Sequence, residues 1–165
     1  MPLTEQHIET GRILDDAFAD GLTYYRLDES HSSYVPWYSR CLSAFALTLG
    51  SNPITYAGVG HTTEEPDHPC LVVFTRRSVH LIETSAAVEG KTATVVTAPI
   101  DSLVTHSLTV TAGITAERRA ARSWPGELVA SFKFDGLPEF TINDPGSNPY
   151  DLTEPPKIMK FIQAL

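Results

Sequence analysis

The chain has 165 residues, two of them cysteines, and carries 12 Lys and Arg against 20 Asp and Glu, a formal net charge of −8. That length suffices for one domain burying roughly 70% of its unfolded surface, so no disulfide framework is needed, and Cys41 and Cys70 read as buried, reduced thiols. The acidic balance argues against nucleic acid and anionic lipid as partners. No run approaches the ~20 apolar residues of a membrane span, and the start from Met1 to His7 lacks the pattern of a signal peptide, so the chain reads as soluble and cytoplasmic.

Ile8, Ile13, Leu14, Phe18 and Leu22 form a loose helical stripe that predicts a helix over Glu5 to Leu22, with Thr4 as N-cap and Gly21 as stop. A polar stretch follows, Asp28 to Ser33. Pro36 opens a second helix, Trp37 to Leu49, with Cys41, Leu42, Phe45 and Leu49 at helical spacing and Gly50 to Pro53 ending it. Neither helix is long enough to stand alone, so each must lie on something.

From Ile54 the period changes to two. Strands are predicted at Ile54 to Val59, Cys70 to Thr75, Val79 to Thr84, Thr92 to Thr97, Leu103 to Thr111, Glu127 to Phe134 and Pro138 to Asn143. A turn-rich loop, His61 to Pro69, separates the first two, and a polar segment, Ala112 to Gly126, precedes the sixth. The chain closes with a helix from Pro155 to Leu165, capped by Thr153, whose stripe of Ile158, Met159, Phe161, Ile162 and Leu165 suits the plugging of an open barrel end.

Register sharpens two hairpins. A two-residue loop at Arg76-Arg77 sets Phe74 opposite Val79 and Val72 opposite Leu81, a good core face. The other face then carries Leu71, Val73 and Ile82 beside His80, so this pair must be covered on both sides. The N-terminal helices are the obvious cover, with a subunit interface as the alternative. In the last hairpin, a two-residue Asp135-Gly136 loop would set Phe132 opposite Glu139 and mix core with surface. A three-residue loop, Phe134-Asp135-Gly136 with a left-handed Gly136, sets Ala130 opposite Phe140 and Leu128 opposite Ile142, and is the register expected.

Two segments carry a family likeness: Phe74-Thr75-Arg76-Arg77-Ser78-Val79-His80-Leu81-Ile82, and Ala98-Pro99-Ile100-Asp101-Ser102-Leu103. With the strand-then-helix ordering, residues 54–165 resemble the pleckstrin-homology superfold, most closely its bacterial and GRAM-like members. The resemblance implies an α+β fold: a seven-stranded antiparallel barrel or sandwich with a C-terminal capping helix. Residues 1–50 would form a helical extension packed on it within a single domain. Phosphoinositide-binding members use basic residues near the loop after the first strand. Here that loop contains Glu64, Glu65 and Asp67, and the loop after the third strand, Ser85 to Lys91, sets Lys91 against Glu89. The resemblance therefore does not extend to headgroup binding at a phosphoinositide membrane.

The remaining chemistry is sparse. His61, Glu64, Glu65, Asp67 and His68 have the residue types of metal ligands but not the spacing of structural zinc sites, and they read as a solvated loop. His106, Ser107, Asp101 and Ser102 lie near one another without a nucleophile elbow, and no glycine-rich phosphate loop occurs. No catalytic residue, metal or cofactor is assigned. Arg118, Arg119 and Arg122 with Trp124, and the pair Arg76 and Arg77, are the candidate partner or anion contacts, although Glu117 and Glu127 flank the first cluster. The aromatic residues Tyr24, Tyr25, Tyr34, Trp37 and Tyr38 read as glue between helices and barrel. The expectation is a non-enzymatic interaction module with a protein partner, with homo-oligomerisation left open. The alternatives are a small-molecule or lipid pocket between the barrel and the N-terminal helices, and an enzyme whose site the sequence does not display.

Overall fold

The computed structural model describes residues 4–24, 36–90, 92–110, 128–144 and 157–165. Helices α1 (Glu5–Tyr24) and α2 (Pro36–Leu49) come first. Strands β1 (Ile54–Thr62), β2 (Pro69–Thr75) and β3 (Ser78–Glu83) follow, then a short helix α3 (Thr84–Glu89). Strand β4 (Val96–Pro99) leads through one 3-10 turn, Ile100–Ser102, into β5 (Leu103–Val110). Strands β6 (Leu128–Phe134) and β7 (Phe140–Asp144) precede the terminal helix α4 (Lys157–Ile162). The strands form one curled seven-stranded antiparallel sheet in the order β4-β3-β2-β1-β7-β6-β5. The fold is α+β, a half-barrel with helices at its start and its end.

Strand β2 is buried at all seven positions. Alternate side chains of a strand point to opposite faces, so β2 feeds two cores. Val72 and Phe74 enter the concave core with Leu81, Phe132, Phe134 and Phe140. Leu71 and Val73 enter a second core with Ile82 and the helix residues Leu14, Phe18, Leu42 and Phe45. The N-terminal helices are thus the cover that the doubly apolar hairpin requires. The β2–β3 register is the one expected, with Phe74 opposite Val79 and Val72 opposite Leu81. Cys41 and Cys70 are both buried and free, and they lie in different cores on opposite faces of the sheet.

Helix α4 closes one end of the half-barrel through Ile158 and Phe161. The Phe161 ring lies 4.4 Å from that of Phe74 and stacks on Tyr56 at 5.3 Å. Its predicted start at Pro155 and the Thr153 cap lie outside the described residues, as do the Asp28 to Ser33 and Ala112 to Gly126 stretches. At the other terminus Thr4 does cap α1, accepting the His7 N–H on Oγ1 at 3.3 Å.

Besides the extension of β1 from Val59 to Thr62, four local expectations give way. Gly21 does not stop α1, which runs on to Tyr24. Its role is close approach: a Cβ there would sit 2.6 Å from the Cβ of Val59. The segment after β3 is helix α3 rather than loop. Thr84 and Ala87 are buried, the Thr84 hydroxyl donates to the Pro69 carbonyl at 2.5 Å, and Arg40 donates to the Ala87 and Gly90 carbonyls at 3.0 Å each. Strand β4 begins four residues later than read and runs two residues further, to Pro99, in a register that sets Val79 opposite Ala98. A proline is tolerated there because β4 is an edge strand.

The fourth difference is the last hairpin. Ala130 pairs with Ile142 and Phe132 with Phe140, two residues away from the expected register. A shift of two keeps the same faces buried, so patterning could not distinguish the two registers. Packing decides: the Phe132 and Phe140 rings stack at 5.5 Å, and Leu137 folds into the concave core within the longer turn. Gly136 does take the left-handed conformation, with φ at 81°.

These contacts have measurable consequences. Gly21→Val should lower stability by about 1–3 kcal/mol, as overpacking does, seen as a lower urea midpoint. Gly11→Ala, where an added Cβ meets nothing within 4 Å, should instead raise it by up to about 1 kcal/mol through helix propensity. Phe74→Ala removes the ring that contacts Phe132, Phe134, Phe140 and Phe161 and should cost about 3–5 kcal/mol in the same measurement.

Candidate functional site

Of the predicted contact residues, Arg76 and Arg77 are described, and they form the two-residue β2–β3 turn with both side chains exposed. The turn is pinned from within. Thr75 Oγ1 accepts the N–H of Arg77 at 3.2 Å and of Ser78 at 3.0 Å, and the Arg77 carbonyl accepts the Ile100 N–H at 2.9 Å. Among the described residues, no carboxylate forms an ion pair with either arginine. Arg118, Arg119, Arg122 and Trp124 lie outside the described residues.

Arg76 is one of the residues lining a half-open cavity of about 440 Å³. The rest of its lining comes from Thr55 and Thr75 in the sheet, Ile100 in the 3-10 turn, and Phe161, Ala164 and Leu165 at and just after the end of α4. The sheet contributes the cation and hydroxyls, while the 3-10 turn and the end of α4 contribute apolar surface. The cavity lies beside the C-terminal end of α4, and none of its lining residues comes from the N-terminal helices. Sequence reasoning singled out Arg76 by its charge but not Thr55, Ile100 or Phe161, because strand curvature and the seating of α4 bring them together.

The second distinctive surface is β5. It is the last strand of the sheet, paired on one side with β6 and, among the described residues, with nothing on the other. His106, Leu108 and Val110 stand opposite Phe132, Ala130 and Leu128, so they point to the concave face. Their β6 partners are buried, yet Leu108 is 41% and Val110 46% exposed. Val104, where the register shifts, is 63% exposed. The opposite face carries Thr105, Ser107 and Thr109, and β5 contains no charged residue. Sequence reading marked this stretch as β-branched but had no means of showing that it would be an edge.

The polar groups elsewhere serve the fold. The Glu65 carboxylate accepts the Ser85 hydroxyl, which ties the acidic β1–β2 loop to α3, and Thr62 donates to Glu83 at 3.3 Å between the ends of β1 and β3. No group of three His, Cys, Asp or Glu among the described residues is placed to hold a metal ion. Tyr38 donates to Asp15 at 2.9 Å and links α2 to α1, and burial raises the phenol pKa. Burial likewise pushes the Cys41 and Cys70 thiols up to about 12, which keeps both protonated and unreactive.

His80 is 4% exposed and uses both ring nitrogens, Nε2 with the Ser78 hydroxyl at 2.8 Å and Nδ1 with the Thr97 hydroxyl at 2.9 Å. The Ser78 hydroxyl in turn meets Thr75 Oγ1 at 2.9 Å. The chain of hydroxyls satisfies a buried imidazole and joins β4 to β3 at the sheet edge. It contains no carboxylate to stabilise an imidazolium, and burial lowers the His80 pKa.

Comparison with protein-family models finds no match, and comparisons with curated proteins and with solved structures find none either. No helix among the described residues is long and apolar enough to cross a membrane.

His80 makes stability depend on pH. Its folded pKa lies below the ordinary value of about 6.5, so the unfolded chain binds the extra proton as pH falls. The stabilisation is complete above about pH 6.5 and declines below it, toward the depressed folded value. His80→Gln should flatten the dependence of the urea midpoint on pH in that window, leaving the carboxylate-driven loss at lower pH.

Proposed function

We propose that the protein is a non-enzymatic interaction module, a half-barrel of pleckstrin-homology type, that accepts an extended segment of a protein partner along the edge of β5 that no described strand covers. The strand order and the terminal helix support the family reading of the barrel. The observation that carries the function is an eight-residue edge strand with seven positions exposed. Natural edge strands are usually blunted by charges, proline or bulges, because unpaired backbone groups recruit other strands. Among the described residues, β5 has only the irregularity between Leu103 and Thr105 and no strand along its other side.

Strand addition fits this surface because main-chain hydrogen bonds supply affinity and alternate side chains supply specificity. The partner segment would set apolar residues beside Leu108 and Val110 and small polar ones beside Thr105, Ser107 and Thr109. It would be neutral or basic, since a net charge of −8 repels an acidic partner. The two free, separately buried cysteines suit work in the reducing cytoplasm, with the helical extension and the barrel acting as one domain.

The test is selection of short extended peptides from a random library, followed by hydrogen exchange. Selected peptides should alternate apolar and polar residues and slow exchange at the β5 amides. Leu108→Lys, a change at an exposed position, should weaken their binding by about tenfold, the equivalent of one lost apolar contact. Protection confined to another surface, or unchanged binding to the Leu108→Lys protein, overturns the reading.

A further inference from the structure

We propose that the cavity beside the C-terminal end of α4 is a binding site for small amphipathic carboxylates, independent of the β5 edge. Its volume of about 440 Å³ falls within the range of small-molecule sites, and its chemistry is divided. Arg76 supplies an exposed cation to the lining, on a turn whose backbone is held by Thr75 Oγ1. Ile100, Phe161 and Leu165 supply an apolar wall. An apolar body against that wall and an anionic head on the guanidinium would use both halves.

The threonines narrow the head group. Thr55 Oγ1 donates its proton to the Phe74 carbonyl at 3.0 Å, and Thr75 Oγ1 is engaged with Ser78, 3.2 Å from its carbonyl and 2.9 Å from its hydroxyl. Both hydroxyls are committed within the fold, so recognition of the anion falls to Arg76. One guanidinium matches one carboxylate, which it can hold by two parallel hydrogen bonds. A multiply charged phosphate would need further cations, and the acidic chain as a whole repels it more strongly than a monoanion. The expected ligand is therefore a monoanion with a short aliphatic chain or a ring.

Octanoate is a suitable probe, followed by amide NMR on the full chain, with octan-1-ol and octylammonium as comparisons. Octanoate should give saturable shifts at Arg76, Ile100, Phe161 and Ala164 in the millimolar range or below. Octanol should bind about tenfold more weakly, through loss of the charge-assisted hydrogen bonds, and octylammonium should not bind at this site. Arg76→Gln, at an exposed turn position, should lower octanoate affinity by the same factor without changing the fold. Ile100→Trp, with its thermal melt checked, should fill the cavity and remove binding of octanoate and octanol together. No saturation, shifts centred elsewhere, or equal octanoate affinity in the Arg76→Gln protein would overturn the proposal.

Discussion

The structure depends on the burial of β2 on both of its faces. A strand with Cys70, Val72 and Phe74 on one side and Leu71 and Val73 on the other cannot lie at a surface. Exposing either set would forfeit about 1.5–3 kcal/mol per large side chain. The concave side is satisfied by curling the sheet until β6 and β7 face β2 across a cluster of phenylalanines. The convex side is satisfied by α1 and α2, which makes them part of the fold rather than an appendage. Gly21 shows how close that second layer must come, since α1 passes Val59 with no room for a Cβ.

Among the described residues the same curl leaves the sheet open. Strands β4 and β5 are adjacent in sequence but end the sheet on opposite sides, joined only through the Ile100–Ser102 turn. Helix α4 fills one end of the trough with Ile158 and Phe161. It does not reach far enough to bury Leu108 or Val110, whose β6 partners are enclosed. Two surfaces with chemical character follow from this geometry: an uncharged strand edge with no described strand beside it, and a cavity where the end of α4 meets the β2–β3 turn.

Much of the architecture was legible in the chain. The change of period at Ile54, the seven strands, the terminal helix and the tight turn at Arg76-Arg77 all follow from local pattern and turn chemistry. The need for cover over Leu71, Val73 and Ile82 was legible too, because a two-residue turn leaves only one register. Less of the site was. Arg76 was identifiable by charge, but its apolar companions come from separate elements, and nothing in the β-branched run from Leu103 to Val110 distinguishes an edge from a central strand.

By itself, then, the sequence determined which residues alternate, where the chain turns, and that one hairpin must be buried twice, since these rest on interactions between near neighbours. Tertiary structure alone decided the register of the last hairpin, the helical state of Thr84–Glu89, the true reason for Gly21 and the identity of the open edge. Each of those depends on a surface supplied by a distant element: Phe140 against Phe132, Arg40 on the end of α3, Val59 beneath α1, and the absence of a described strand beside β5. Patterning says that a side chain must be buried, and only the assembled fold says against what.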